Sequence, residues 1–503
     1  MTDRLSGMVR PDRARIRDAL ERRLGIDARA LAAFRIILGL TLLFDVLHRS
    51  RHLVTFYTDS GAVPREVRLA QADVSAQYSI HMLSGEPWAQ ALLFGLAALL
   101  AIGVLVGYRT QLAVLLSLVL LVSVHFRAPL VLNSGDRLLR EVMVLAVFLP
   151  LGTRWAVDAI GSDRERNRRV ATPATAAILL YVVSFFANNG QHKRLGDTWP
   201  GGEALQYALR QDQLTILLGN YLVDYPLLLE VGTYGWLALV VGAPLLLVLS
   251  GWLRVLYVGL FLSAVAGLGL SMAVGLFPAV LTAVLVLFVP TRVWDRLETA
   301  GASHCRRVEG LERLRARTSA LGSQVGPPRR LHSTLSPQTS ERKRQLWSVV
   351  LGFVLLVVVV WNIGLLGYAD TPEMADPIDP EDNQWTMYAP DPSTTAGWYV
   401  VEAHLESGER MDVLRNDDLR DGPPPDASDS LPSFRWRKYM SSLDDDTQRA
   451  DRFGASMCDR AAEQFDTPVE RIEVVYYSDA IDFDAEESSP TATTRVETAC
   501  SAA

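Results

Sequence analysis

Long apolar runs separated by short polar turns fill the chain up to about residue 366, and no run of membrane length occurs beyond it. A spanning helix needs about 20 mainly apolar residues, fewer where its ends lie among headgroups. About nine runs qualify, some of them short: Leu31 to Leu47, Trp88 to Val106, Gln111 to His125, Leu138 to Leu151, Ala174 to Phe186, Tyr234 to Leu249, Val255 to Met272, Phe277 to Val289 and Trp347 to Leu366. This pattern predicts an all-α polytopic membrane protein of about nine transmembrane helices. Past the ninth run the periodicity changes. Trp398 to Leu405 and Glu470 to Tyr477 mix alternation with β-branched and aromatic residues, the chemistry of strands, and Arg449 to Phe465 suits one helix. The prolines of Asp421 to Pro432 predict a loop. A small α+β C-terminal domain is expected.

Basic residues set the orientation, because Arg and Lys accumulate on the cytoplasmic side. Threading nine spans with the N-terminus inside puts 27 Arg or Lys in the inner segments and nine in the outer loops. The expected organisation is a basic cytoplasmic N-terminus (1–30), an eight-helix membrane domain (31–299), a cytoplasmic linker rich in Arg, Ser, Gly and Pro (300–344), a ninth helix (345–367) and an extracytoplasmic acidic domain (368–503), a multi-pass protein of the cell membrane. The first apolar run carries Arg35 and Asp45 and lacks a small-residue cleavage site, so it reads as a retained helix.

Composition sharpens this division. The chain is 49% hydrophobic with a net charge of -7, but from Tyr368 onward it holds 31 acidic against 11 basic residues, a net charge of about -20. Such acidity disfavours a nucleic-acid partner and makes the tail's stability depend on salt screening. An extracellular protein is the partner expected of the tail if the protein is non-catalytic. Cys458 and Cys500 both lie in the tail and could pair in an oxidising compartment. No Cys/His spacing for a metal occurs.

The specific polar residues gather in the outer loops. The first loop reads FYTDSGAVPR from Phe56 to Arg65, with Tyr57 and Asp59, and follows the helix that bears Arg35 and Asp45. Those two charges are about 15 Å apart along a helix and cannot pair with each other; each needs a partner on another helix, a cavity or, for Asp45, the outer interface. The second loop, RAPLVLNSGDRLLR, sets Asn133, Asp136, Arg137 and Arg140 at the outer mouth, where Asn133 or Ser134 can also cap the next helix. The third begins with NNGQHKR, Asn188 to Arg194, and continues through Trp199 and Glu203. Lys193 is the one lysine before residue 300. A desolvated ammonium can give up its proton whereas a guanidinium essentially cannot, so Lys193 is the candidate base and His192 its candidate assistant. The competing reading is a lysine snorkelling beside an interfacial tryptophan.

At these same residues the sequence resembles the HTTM family, the membrane domain shared with vitamin K-dependent gamma-carboxylase. The matching features are FRIILGLTLLFD, FYTDSGAVPR, NSGDRLLR before a helix ending in FLPLG, the K-x5-W-x2-G pattern at Lys193, Trp199 and Gly202, and GLFP at Gly275 to Pro278, over roughly residues 25 to 295. QWTMYAPDP, Gln384 to Pro392, is similar to a segment that follows the last span in some prokaryotic members. The resemblance implies a reduced quinone such as vitamin K hydroquinone as cofactor or substrate. It also implies a lysine base toward that hydroquinone, with oxygen and CO2 as co-reactants in carboxylation of glutamate. The enzymes carry two adjacent lysines where this chain has Lys193 and Arg194, and a guanidinium is a poor base. Two functions follow as expectations. One is a membrane-bound enzyme acting on a quinol or other lipid-soluble substrate, with Lys193 and His192 catalytic and Arg35, Tyr57, Asp59, Asn133, Asp136, Arg140, Trp199 and Glu203 binding substrate. The other is a non-catalytic protein that binds lipid or quinone and recruits a partner through its tail. A transporter would need paired broken helices, and none stands out.

Overall fold

The computed structural model describes residues 21–305, 349–360 and 385–500, apart from 22, 71–73, 161–167, 351, 354, 421, 425, 444, 445 and 484–489. Its helices follow the apolar runs: α1 (Ala28–Ser50), α2 (Pro87–Val106), α3 (Thr110–Arg127), α4 (Ser134–Ala146), α5 (Pro173–Lys193), α6 (Pro226–Val241), α7 (Gly251–Ser271) and α8 (Phe277–Val286). Proline at the first helical position and a side-chain cap start α5, where Thr172 and Thr175 form a capping box. Gly107, in the left-handed region at φ 72°, ends α2, and any Cβ there would strike the Arg35 guanidinium.

Among the described residues, α1, α2, α3 and α7 are long and apolar enough to cross a membrane. A fifth span results if α8 is joined to α9 (Thr291–Cys305), from which it is bent by 99°. This is a multi-pass membrane protein. The expected nine spans are therefore not all reproduced as full-length helices. α4 has 13 residues and α6 has 16, and α5 spends its last two turns on polar residues. The ninth run is helical at its described residues between 349 and 360; the rest of it, and 306–344 of the expected linker, lie outside the described residues. α9 falls where linker was expected to begin. It is amphipathic, buries Trp294, and is tied to the end of α1 by Arg29, which pairs with Asp295 at 2.9 Å and Glu298 at 2.8 Å.

α1 lies at the centre, with α2 and α8 against it, and buries Leu31, Phe34 and Leu38. The C-terminal region is α+β, as its sequence predicts. A five-stranded antiparallel sheet contains β1 (Thr395–Leu405), β2 (Arg410–Asp412), β3 (Asp417–Asp418), β4 (Val469–Ala480) and β5 (Thr491–Ala499), in the order β3-β2-β1-β4-β5. Two helices, α10 (Phe434–Met440) and α11 (Thr447–Gln464), accompany it. α11 lays Phe453, Met457 and Ala461 on Ile472, Val474 and Val496, and a Cys458–Cys500 disulfide fastens it beside the end of β5. The sequence pattern does not reveal β5, because only Val496 of that edge strand is buried.

The apolar core of this domain is continuous with the loop that follows α1. Trp436, 1% exposed, meets Phe56 with ring centroids 5.2 Å apart, and Tyr439 meets Phe56 at 5.5 Å and donates to the Ala62 carbonyl. The Trp436 indole donates to His52 Nδ1 at 3.3 Å. Burial and the nearby Arg435 push His52 down to about 4, so near neutrality it keeps the lone pair that accepts this bond.

Candidate functional site

Two carboxylates and two guanidiniums meet at the mouth of the membrane domain. Asp45 and Arg49 stand one turn apart on α1, and Arg49 Nε donates to Asp45 Oδ2 at 2.8 Å. Asp136, on the first turn of α4, accepts from Arg49 Nη2 at 2.6 Å. Arg435 of α10 completes the group, with its Nη2 at 2.6 Å from Asp45 and 3.1 Å from Asp136. All four are buried. Tyr57 adds its hydroxyl, which accepts from Arg49 Nη1 at 3.0 Å, and His125 Nε2 accepts from Arg49 Nη2 at 3.1 Å. A buried charge is tolerable only when paired and hydrogen-bonded, and here the formal charges cancel. Asp45, His125 and Asp136 also place possible metal-ligand atoms within 4.8 Å of one another. Arg49 and Arg435 already neutralise those carboxylates, so the cluster is better read as a salt-bridge network than as a metal centre.

The second assembly surrounds Lys193. α5 does not stop where its apolar run stops at Ala187. It continues through NNGQHK and turns Asn188, Asn189 and Lys193 inward, while Arg194 is exposed. Their partner is the strap from Trp385 to Asp391. Asn188 Oδ1 accepts from the Trp385 N–H at 3.1 Å, and Asn189 Nδ2 donates to the Trp385 and Met387 carbonyls. Lys193 Nζ, on a residue only 2% exposed, donates to Tyr388 O at 2.8 Å and Met387 O at 3.1 Å, and lies 3.6 Å from the centre of the Trp199 ring. The Trp199 indole donates to the same Tyr388 carbonyl at 2.6 Å. Among the described residues no carboxylate forms an ion pair with Lys193. Asp391 secures the far end of the strap by accepting from Thr198 Oγ1 and from the Thr198 and Asp197 N–H groups. Burial alone would raise its carboxyl, but these hydrogen bonds and the charge of Lys193 hold it below the usual range.

Between the two assemblies runs a cleft of about 430 Å3, floored by Asn133, Leu214, Val274 and Phe277 of the membrane domain and roofed by the strap, β1, β4 and α10. Its size is that of a small-molecule site. Gly275 of the GLFP motif is at its edge with φ 66°; a Cβ there would approach Asn133 Nδ2 to 2.6 Å.

The residues that the sequence nominates thus divide. Tyr57 and Asp136 share the charge network. Asn133 caps α4 in a capping box with Asp136 and reaches the cleft, and Arg140 is half-buried one turn beyond Asp136. Lys193 and Trp199 sit under the strap, and the half-buried His192 is 3.5 Å from Asn188. Three lie apart. Arg35 is at the opposite end of α1, donating to the Trp155 carbonyl. Asp59 pairs with Arg65 at 2.7 Å in the loop after α1, and Glu203 is exposed before the short helix Ala204–Leu209. Sequence reasoning passed over Arg49, His125, Asp391 and Arg435. The i,i+4 spacing of Asp45 and Arg49 was a visible signal for one of them; nothing local marks Arg435.

A family model, the HTTM domain, matches residues 24–294, which span α1 to α8 and include Lys193, Trp199 and the Gly275 motif. Neither a curated protein nor a solved structure matches the chain with significance. The family model covers more than half of the chain, in the same interval that carries the short motifs and the buried lysine: the protein belongs to the HTTM family.

Proposed function

We propose that this protein binds a lipid-soluble amphiphile, a lipid or a quinone, in the cleft between its membrane domain and its C-terminal domain, and that Lys193 is a fixed cation of that site. The observation that carries the reading is how the lysine nitrogen is surrounded. Two carbonyls take its N–H groups and an aromatic face takes its positive charge. A general base must instead turn a lone pair toward its substrate. The strap that Lys193 holds is also the roof of the cleft, so the cation serves binding by keeping the roof in place.

Burial without a paired carboxylate favours a second reading, in which Lys193 takes a proton from a quinol once the strap lifts. This is the role that likeness to gamma-carboxylase implies. The test is to supply menaquinol, oxygen and bicarbonate to the purified protein and to its Lys193→Arg variant. The binding reading expects menaquinone retention by both and no turnover by either. Turnover by the natural protein that Lys193→Arg abolishes would establish the base instead.

We also propose that the N-terminus is cytoplasmic and the acidic domain lies outside the cell membrane, from the distribution of arginines and from a disulfide that needs an oxidising compartment. Ser428 is exposed in the short 3-10 helix Ala427–Asp429 of that domain. With Cys305 replaced by serine, Ser428→Cys should react with an impermeant maleimide in intact cells. Reaction only after lysis would reverse the topology.

A further inference from the structure

The C-terminal domain is strongly acidic, yet α10 (FRWRKYM) gathers three of its eleven basic residues within four positions. They have separate destinations. Arg435 is consumed by Asp45 and Asp136. Arg437 and Lys438 line the cleft. The Arg437 side chain is half-buried against Tyr388 and Tyr399, and among the described residues it makes no hydrogen bond and no ion pair. Lys438 is exposed beside it. The carboxylate on the cleft wall, Asp391, is already taken by Thr198 and two backbone N–H groups. Among the described residues that line the cleft, the charge left unanswered is positive, while Leu214, Val274 and Phe277 offer an apolar floor at the membrane domain.

A half-desolvated guanidinium without a partner is costly unless something anionic completes it, and its planar fork suits two oxygens of one phosphate. We infer that the cleft is a site for a phosphate group, supplied by an anionic membrane lipid whose head is read by Arg437 and Lys438 and whose body lies along the apolar floor. This rests on the reading that the cleft holds an amphiphile, and it fixes the head group.

The experiment uses the full chain in nanodiscs of phosphatidylcholine with a minor fraction of phosphatidylglycerol, followed by detergent extraction and mass spectrometry of retained lipid. Phosphatidylglycerol should be enriched over phosphatidylcholine. Arg437→Gln should lower the enrichment roughly tenfold, as expected for loss of a charge-assisted pair. Lys438→Gln should lower it less, Arg437→Lys should restore part of it, and Ser441→Trp, which fills the cleft, should abolish it. Inorganic phosphate and glycerol phosphate, added separately, distinguish the sources. Binding of free phosphate that depends on Arg437, with no lipid retained, keeps the phosphate site and replaces the lipid by a soluble ligand. Retention of phosphatidylcholine or menaquinone that Ser441→Trp blocks but Arg437→Gln leaves unchanged would overturn the phosphate site while the amphiphile reading stands. Indifference of every probe to Ser441→Trp would overturn both.

Discussion

Arg435→Ala should release the C-terminal domain from the membrane domain. The substitution leaves Asp45 and Asp136 sharing Arg49 alone, so one buried carboxylate loses its counter-charge, and breaking a buried pair from one side costs about 3–5 kcal/mol. That is a large share of the roughly 5–15 kcal/mol by which a domain is stable. The readout is the thermal transition of the full chain together with protease cleavage in the proline-rich 421–432 segment, where cleavage should become fast. Because the penalty arises from a stranded carboxylate, Asp136→Asn added to Arg435→Ala should recover part of it. Melting and cleavage unchanged in Arg435→Ala would show that the network does not hold the domains together.

Trp436→Ala, the next residue, should be about as damaging for a different reason. Its indole fills the junction between Phe56, in the loop after α1, and Phe453 of α11, and deleting a buried tryptophan costs about 3–5 kcal/mol in lost burial and cavity formation. Its loss also strands His52 Nδ1. Unlike Arg435→Ala, this loss should not be relieved by neutralising Asp136, and Trp436→Phe should recover most of it. If Trp436→Ala melted like the natural chain, the shared core would not bind the two domains.

How much of this was legible in the sequence depends on how local each feature is. The apolar runs place α1 to α8 because burial in lipid or core requires them. Two strands and α11 of the tail follow from their own periodicity. The end of α5 was hidden, because Asn188, Asn189 and Lys193 look like loop residues until the strap that satisfies them is seen, and that strap lies almost two hundred positions away. The partner of Asp45 was hidden for the same reason: Arg435 is 390 residues further on. Lys193 was singled out by its rarity, but what surrounds it was not, since two of its three neighbours are backbone carbonyls, which no side-chain pattern encodes.

The same sequence distance sets an order of events in the cell. A ribosome adds about 5–20 residues each second, so the 299 positions from Asp136 to Arg435 represent on the order of 15–60 seconds of synthesis. Throughout that delay the mouth of the membrane domain holds Asp45 and Asp136 against Arg49 alone, and an unpaired carboxylate is costly unless water solvates it. The membrane domain is therefore expected to begin as an open, hydrated vestibule, which the C-terminal domain, roughly the last quarter of the chain, dries and closes.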